Sequence, residues 1–136
     1  MKLLRRLPAL FSLAFALVCF HASAQDDAYA VFVPISKYVE KGDAEKLSAW
    51  FADNLEVTID ENTVDSSRKQ ARQIMKLFFE NHTPSSFSIG HRASHANVKY
   101  AIGQLSAGGE KYILTVFVSC QGDSYQIQQI KIVKDR

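Results

Sequence analysis

Only two cysteines, Cys19 and Cys120, stand in a chain of 136 residues, so neither a disulfide framework nor a thiolate metal site can be built from it. An excess of one charge is missing too. Lysine and arginine are interleaved with aspartate and glutamate and form no basic stripe, which argues against a nucleic-acid phosphate backbone as partner. No apolar run reaches the roughly 20 residues needed to cross a bilayer. Internal repeats, low-complexity tracts and linkers are likewise absent.

The longest apolar run is at the start. Lys2, Arg5 and Arg6 precede the almost unbroken stretch Leu7 to Phe20, and Ala22-Ser23-Ala24 supplies small residues for a signal peptidase. This is the pattern of an export leader cleaved after Ala24. Leu17 and Val18 stand before Cys19 where a lipoprotein would carry small residues. Residues 1–24 are therefore expected to be a cleaved signal peptide, and residues 25–136 a single secreted or periplasmic domain. Removing the leader takes three basic residues and no acids, leaving 13 against 14 and a formal net charge of −1. Cys19 leaves as well, so Cys120 is expected to be a lone thiol behaving as a small buried hydrophobe at the end of an apolar run. The remaining chain is long enough for one core of its own.

Pro34 suits the first turn of a helix, so the first helix is placed from about Phe32 to Pro34 through Val39, with Gly42 as its stop. Asp43 is positioned to cap a second short helix with Ala44, Leu47, Trp50 and Phe51 on one face. Ala52-Asp53-Asn54 reads as a turn into the strand LEVTID, and ENTVDSS reads as a polar turn. Ser66 or Ser67 caps a third helix, whose Ala71, Ile74, Met75 and Phe78 recur at helical spacing while Arg68, Lys69, Arg72 and Lys76 stay solvated. That helix ends before Thr83-Pro84. Four runs follow, about 86–94, 97–106, 110–120 and 124–134, separated by short turn signals that make an antiparallel meander.

Two local patterns go further. In YQIQQIKIV the alternation passes from Tyr125 and Ile127 to Ile130 and Ile132, so a β-bulge is predicted at Gln128-Gln129. In YILTVFV both faces are apolar, and a strand of that kind expects cover on both sides. Three helices can cover one face of a curved sheet, so the other is expected to meet a second copy of the chain.

The fold class is thus α+β: three N-terminal helices packed on a curved, mostly antiparallel sheet of one strand and then a four-strand meander. This order, with the stretches PISKYVEKGDAEKLSAWFADNLEVTI, ARQIMKLFFENHTPSSFSI, KYAIGQL and YQIQQIKI, resembles the nuclear transport factor 2-like α+β cone, also described as cystatin-like. Within it the wording is similar to an uncharacterised family of small secreted bacterial proteins. The resemblance implies architecture and export. The wider superfamily holds isomerases, dehydratases and hydrolases beside non-enzymatic binding modules, so fold does not choose the function.

Candidate chemistry is sparse. His91 and His95 stand four residues apart, as on a zinc-binding helix, but on an extended strand that spacing separates them by roughly 13 Å. No metal site and no cofactor is expected. By alternation His91 shares a face with Phe87 and Ile89, which would turn it into the cone as an acid or base. The superfamily's enzymes place an Asp or Glu there, whereas Glu56, Asp60 and Asp123 alternate away from apolar neighbours or sit in turns, and no pair of acids has environments that would split their pKa values. No catalytic residue is assigned. His91, Tyr100, Tyr112 and Trp50 are the pocket candidates, for a small apolar ligand. The function these residues favour is a non-enzymatic binding or interaction module, a homodimer packed through its sheet face; the competing class is a small-molecule lyase, isomerase or hydrolase using His91 and a pocket tyrosine.

Overall fold

The computed structural model describes residues 28–136; the expected leader and its expected cleavage site lie outside the described residues. Helix α1 spans Phe32–Lys41 and buries Phe32, Ile35 and Val39. Gly42 stops it at φ 66°, and its N–H returns to the helix carbonyls, a conformation glycine adopts without steric cost. Asp43 then caps α2, Ala44–Leu47, by accepting a hydrogen bond from the Lys46 N–H at 3.0 Å. The expected second helix is shorter than its periodicity suggested. It tightens into a 3-10 turn over Ser48–Trp50 and gives way at Phe51, which is already extended and opens strand β1, Phe51–Ile59. Ala52-Asp53-Asn54 is therefore strand rather than turn.

A larger correction concerns ENTVDSS. Asp60, at φ 56°, and Glu61 make a two-residue turn, and Asn62–Ser67 returns as strand β2, paired antiparallel with β1 from Ile59↔Asn62 to Asn54↔Ser67. Except for Ser66, its side chains are exposed, so backbone pairing and not hydrophobic patterning holds it. Helix α3, Arg68–Asn81, begins where expected, with the Ser67 hydroxyl accepting from the Gln70 N–H at 3.1 Å. Its first turn holds no acid, so the cap has no carboxylate to share its work. Ser67→Ala is expected to destabilise the fold by about 1 kcal/mol, read as a lowered thermal midpoint with unchanged circular dichroism below it.

Strands β3 (Pro84–His95), β4 (Val98–Ala107), β5 (Glu110–Gln121) and β6 (Ser124–Lys134) form the meander. They join the first hairpin in a six-stranded curved sheet of order β2-β1-β6-β5-β4-β3, in which only the β1–β6 pair is parallel. The bulge in β6 lies where the phase jump put it: Phe117 faces Gln129 and Val118 faces Ile127, leaving Gln128 as the extra residue. The helices cover one face. Phe51, Leu55, Leu47, Met75, Leu105, Leu114, Val118, Ile127, Ile130 and Ile132 fill the space between layers, each at most 4% exposed. Cys120 departs from expectation in its burial: it is half-buried opposite Tyr125.

Candidate functional site

Strand alternation divides the candidate residues between two faces. On the helix-covered face, β4 and β5 present Ala101, Leu105, Tyr112, Leu114, Val116 and Val118, all buried. Tyr112 stands beside the C-terminal end of α3, where its hydroxyl lies 3.2 Å from His82 Nδ1. The His82 ring stacks on Phe78 at 4.7 Å between centroids, and Tyr112 meets Phe78 edge-on at 5.4 Å. Burial, with Asp60 and Glu110 adding repulsion, raises the Tyr112 pKa above its ordinary 10.0. The phenol keeps its proton, and the pair forms a part-buried contact that ties the end of α3 to β5.

His82 drew no attention in the sequence because it closes a helix before Thr83-Pro84, and nothing local announces a tyrosine thirty positions on. Tyr112→Phe is expected to cost about 1 kcal/mol by removing this hydrogen bond while keeping the ring. The pH dependence has a definite sign. A group whose folded pKa is raised contributes stability below its unfolded value, here 10.0, and loses it as pH rises toward the folded value. Denaturant midpoints should therefore fall above pH 10 in the native chain, and Tyr112→Phe should flatten that fall.

His91 is not on this face. A register shift between Ile89 and His91 makes Gly90 an extra residue, so Ile89 faces Gly103 while His91 faces Ile102. Phe87 and Ile89 pack on the core, and His91 turns to the uncovered side, exposed. Alternation across Gly90 fails because the bulge reverses the phase of every residue after it. An acid or base at His91 thus has no cone to act in. Tyr100 accompanies it, with its hydroxyl 3.5 Å from His91 Nε2. Trp50 is half-buried against the core at the end of the 3-10 turn. The structure therefore brings His91 and Tyr100 together and separates both from Tyr112 and Trp50.

The opposite face, which no helix of the described residues covers, is ordered by register. One row across β2, β1, β6, β5, β4 and β3 reads Asp65, Glu56, Gln129, Phe117, Tyr100, Ala93; the next reads Thr63, Thr58, Lys131, Thr115, Ile102, His91. Val133, Ile113, Gln104 and Ser88 continue the pattern. Tyr100 stacks on Phe117 at 5.3 Å, and Tyr100, Ile102, Ile113, Phe117 and Val133 are all only half-buried. The acidic margin is held in place: Glu56 accepts from Gln129 Nε2 at 2.6 Å, and the Thr58 and Thr63 hydroxyls meet at 2.9 Å. Beside the β6 bulge, Phe117, Val98, Glu56, Gln128 and Gln129 line a surface cleft of about 430 Å³. Among the described residues no group of three His, Cys, Asp or Glu side chains is placed to hold a metal ion, and no helix is long and apolar enough to cross a membrane.

Residues 32–133 match the family described as a domain of unknown function, DUF4783. The chain belongs to the DUF4783 family. A solved DUF4783 protein from Bacteroides uniformis is similar at 22% identity over 76% of this chain and 95% of that one, with a TM-score of 0.73. A domain of unknown function with a cystatin-like fold from Nostoc punctiforme is similar at 9% identity over 84% of this chain and 80% of that one, TM-score 0.65. An NTF-2 like protein of unknown function from Silicibacter pomeroyi is similar at 10% identity over 83% of this chain and all of that one, TM-score 0.63. No curated protein sequence matches the chain. At these identities the similarities establish the nuclear transport factor 2-like, cystatin-like fold of this DUF4783 chain, and the fold leaves its chemistry open.

Proposed function

We propose that this DUF4783 protein is an exported, non-enzymatic interaction module that works as a homodimer. The observation that carries this reading is the sheet face away from the helices, where Tyr100, Ile102, Ile113 and Phe117 stand half-buried with no helix of the described residues over them. Apolar side chains grouped on one rigid surface mark an interaction site when the fold leaves them uncovered. The inner face supports the same reading. The buried positions between sheet and helices carry aliphatic and aromatic side chains, and the perturbed titratable group among them is a tyrosine held neutral. Export to the periplasm or the outside of the cell is supported by the basic start, the apolar run Leu7 to Phe20 and the small residues before Gln25.

Native mass spectrometry of the protein purified from the periplasm or medium of an exporting host tests these points together. The expected result is a chain beginning at Gln25, at twice the monomer mass, without a stoichiometric small molecule. A monomer carrying a discrete small-molecule mass that Tyr112→Phe or Trp50→Ala releases would replace this reading with a ligand-holding cone. An uncleaved chain retained in the cytoplasm would overturn export.

A further inference from the structure

We infer that the free half of the edge strand β3, residues 91–95, receives an extended acidic peptide of a partner protein, which adds a strand beside it and sets a carboxylate against Arg92. The inference rests on the interaction-module reading above and names a partner chemistry for it, on the sheet edge and not on the apolar face. Three observations meet at this corner of the fold.

The first is an open ladder. β3 ends the sheet beyond β4, so every second residue of it turns its backbone N–H and C=O away from any strand. Its first half is guarded. Pro84 has no N–H and sits so close to the end of α1 that a Cβ on Gly42 would lie 3.0 Å from its ring, and the bulge at Gly90 breaks the line of pairing. Residues 91–95 carry no proline, bulge or lysine, the usual guards of an edge, and four of the five are exposed. The second is charge. Between Glu80 and Glu110 the chain has no acid, while Arg92, Lys99 and the three histidines His82, His91 and His95 stand there. The opposite edge is the reverse: from Asp53 to Asp65 there are five acids and no lysine or arginine. A chain with a formal net charge of only +2 thus has a basic edge at β3 and β4 and an acidic one at β1 and β2. A surface of one sign selects a partner of the other. The third is a cation held in place. Arg92 lies over the Tyr29 ring, 5.0 Å from its centroid. Lys99 approaches the same ring at 6.0 Å, lies over Tyr125 at 4.6 Å and donates to the Ala28 carbonyl. Contact with a π face fixes the guanidinium and leaves N–H donors for a planar carboxylate. Among the described residues the ion pairs are Arg68 with Asp53 and Lys134 with Glu110, so none of them supplies Arg92 with a carboxylate. A strand added here sets alternate side chains on the side of Arg92 and Ser94, which calls for an acid at every second position of the peptide.

The test is fluorescence anisotropy of a labelled hexapeptide of alternating valine and aspartate, titrated at low salt with the protein purified from an exporting host. Binding is expected, weakening as salt rises, while the same peptide with lysine in place of aspartate stays free. Arg92→Glu is expected to lower the affinity about tenfold or more and to let the lysine peptide bind instead. Arg92 is exposed, so circular dichroism of the variant should match the native chain, and Lys76→Gln on α3 should leave binding unchanged. Two aspartate peptides methylated on alternate backbone nitrogens separate strand addition from charge alone: one should bind as before and the other should not, because one set of N–H groups faces β3. Absence of binding, equal binding of both methylated peptides, or indifference to Arg92→Glu would overturn this site, while native mass spectrometry still reads the homodimer by itself. Arg92-dependent binding to phosphatidylglycerol vesicles without peptide binding would also overturn it, in favour of a membrane surface. So would growth past the dimer that Arg92→Glu abolishes, since β3 would then take the acidic edge of another copy.

Discussion

Phe51→Ala is expected to cost the fold about 3–5 kcal/mol, a large share of the 5–15 kcal/mol that holds a typical domain together. Phe51 is fully buried at the junction where the 3-10 turn becomes β1, opposite Ile127 in the parallel pair with β6. Its carbonyl accepts from Arg68 Nε at 3.2 Å, which ties the start of α3 to the same point. Helices, hairpin and meander therefore all meet at this residue. Truncation removes the ring's transfer free energy and leaves a cavity that three anchored elements cannot easily close. Urea unfolding followed by circular dichroism should show a lower midpoint with an unchanged slope. A loss below about 1 kcal/mol would mean that the site collapses freely and that the layers are not locked here.

Gly103→Ala is expected to destabilise by about 1–3 kcal/mol, although it adds a single methyl group. A Cβ at this position would lie 2.6 Å from Phe87 Cε1 and 2.7 Å from the Ser88 carbonyl oxygen. The ring can rotate away; the carbonyl belongs to the neighbouring strand and cannot move without disturbing the β3–β4 ladder. In effect the Phe87 ring occupies the side-chain space that Gly103 vacates, just before the Gly90 bulge bends β3. Comparing the cost of Gly103→Ala in native and Phe87→Ala backgrounds separates the two clashes. A cost that shrinks without vanishing when the ring is absent identifies the ring and the carbonyl as joint causes, and a neutral or stabilising substitution in the native background would show that β3 slides freely past β4.

The elements legible in the sequence are those whose cause is local. Pro34, Gly42, Asp43 and Ser67 act within one helical turn of themselves, and the helix ends followed from them. The Gln128 bulge was visible because isoleucines stand on both sides of it and record the change of phase. At Gly90 no apolar residue on the far side preserves the phase, so the second bulge was silent and His91 was carried to the wrong face. β2 was missed because an edge strand can be held by backbone pairing alone, and NTVDSS has neither the propensity nor the alternation that announces a strand.

Much of the architecture was therefore written in the order of the residues: an α+β chain with three helices and a meander with a bent last strand. Residue order could not show which side chains become neighbours across the sheet. The pairing of His82 with Tyr112, the separation of His91 from the cone, and the assembly of Tyr100, Ile102, Ile113 and Phe117 into one uncovered surface all depend on register. Register is set by ladder hydrogen bonds and by bulges in partner strands, and a one-residue shift moves a whole set of side chains to the opposite face.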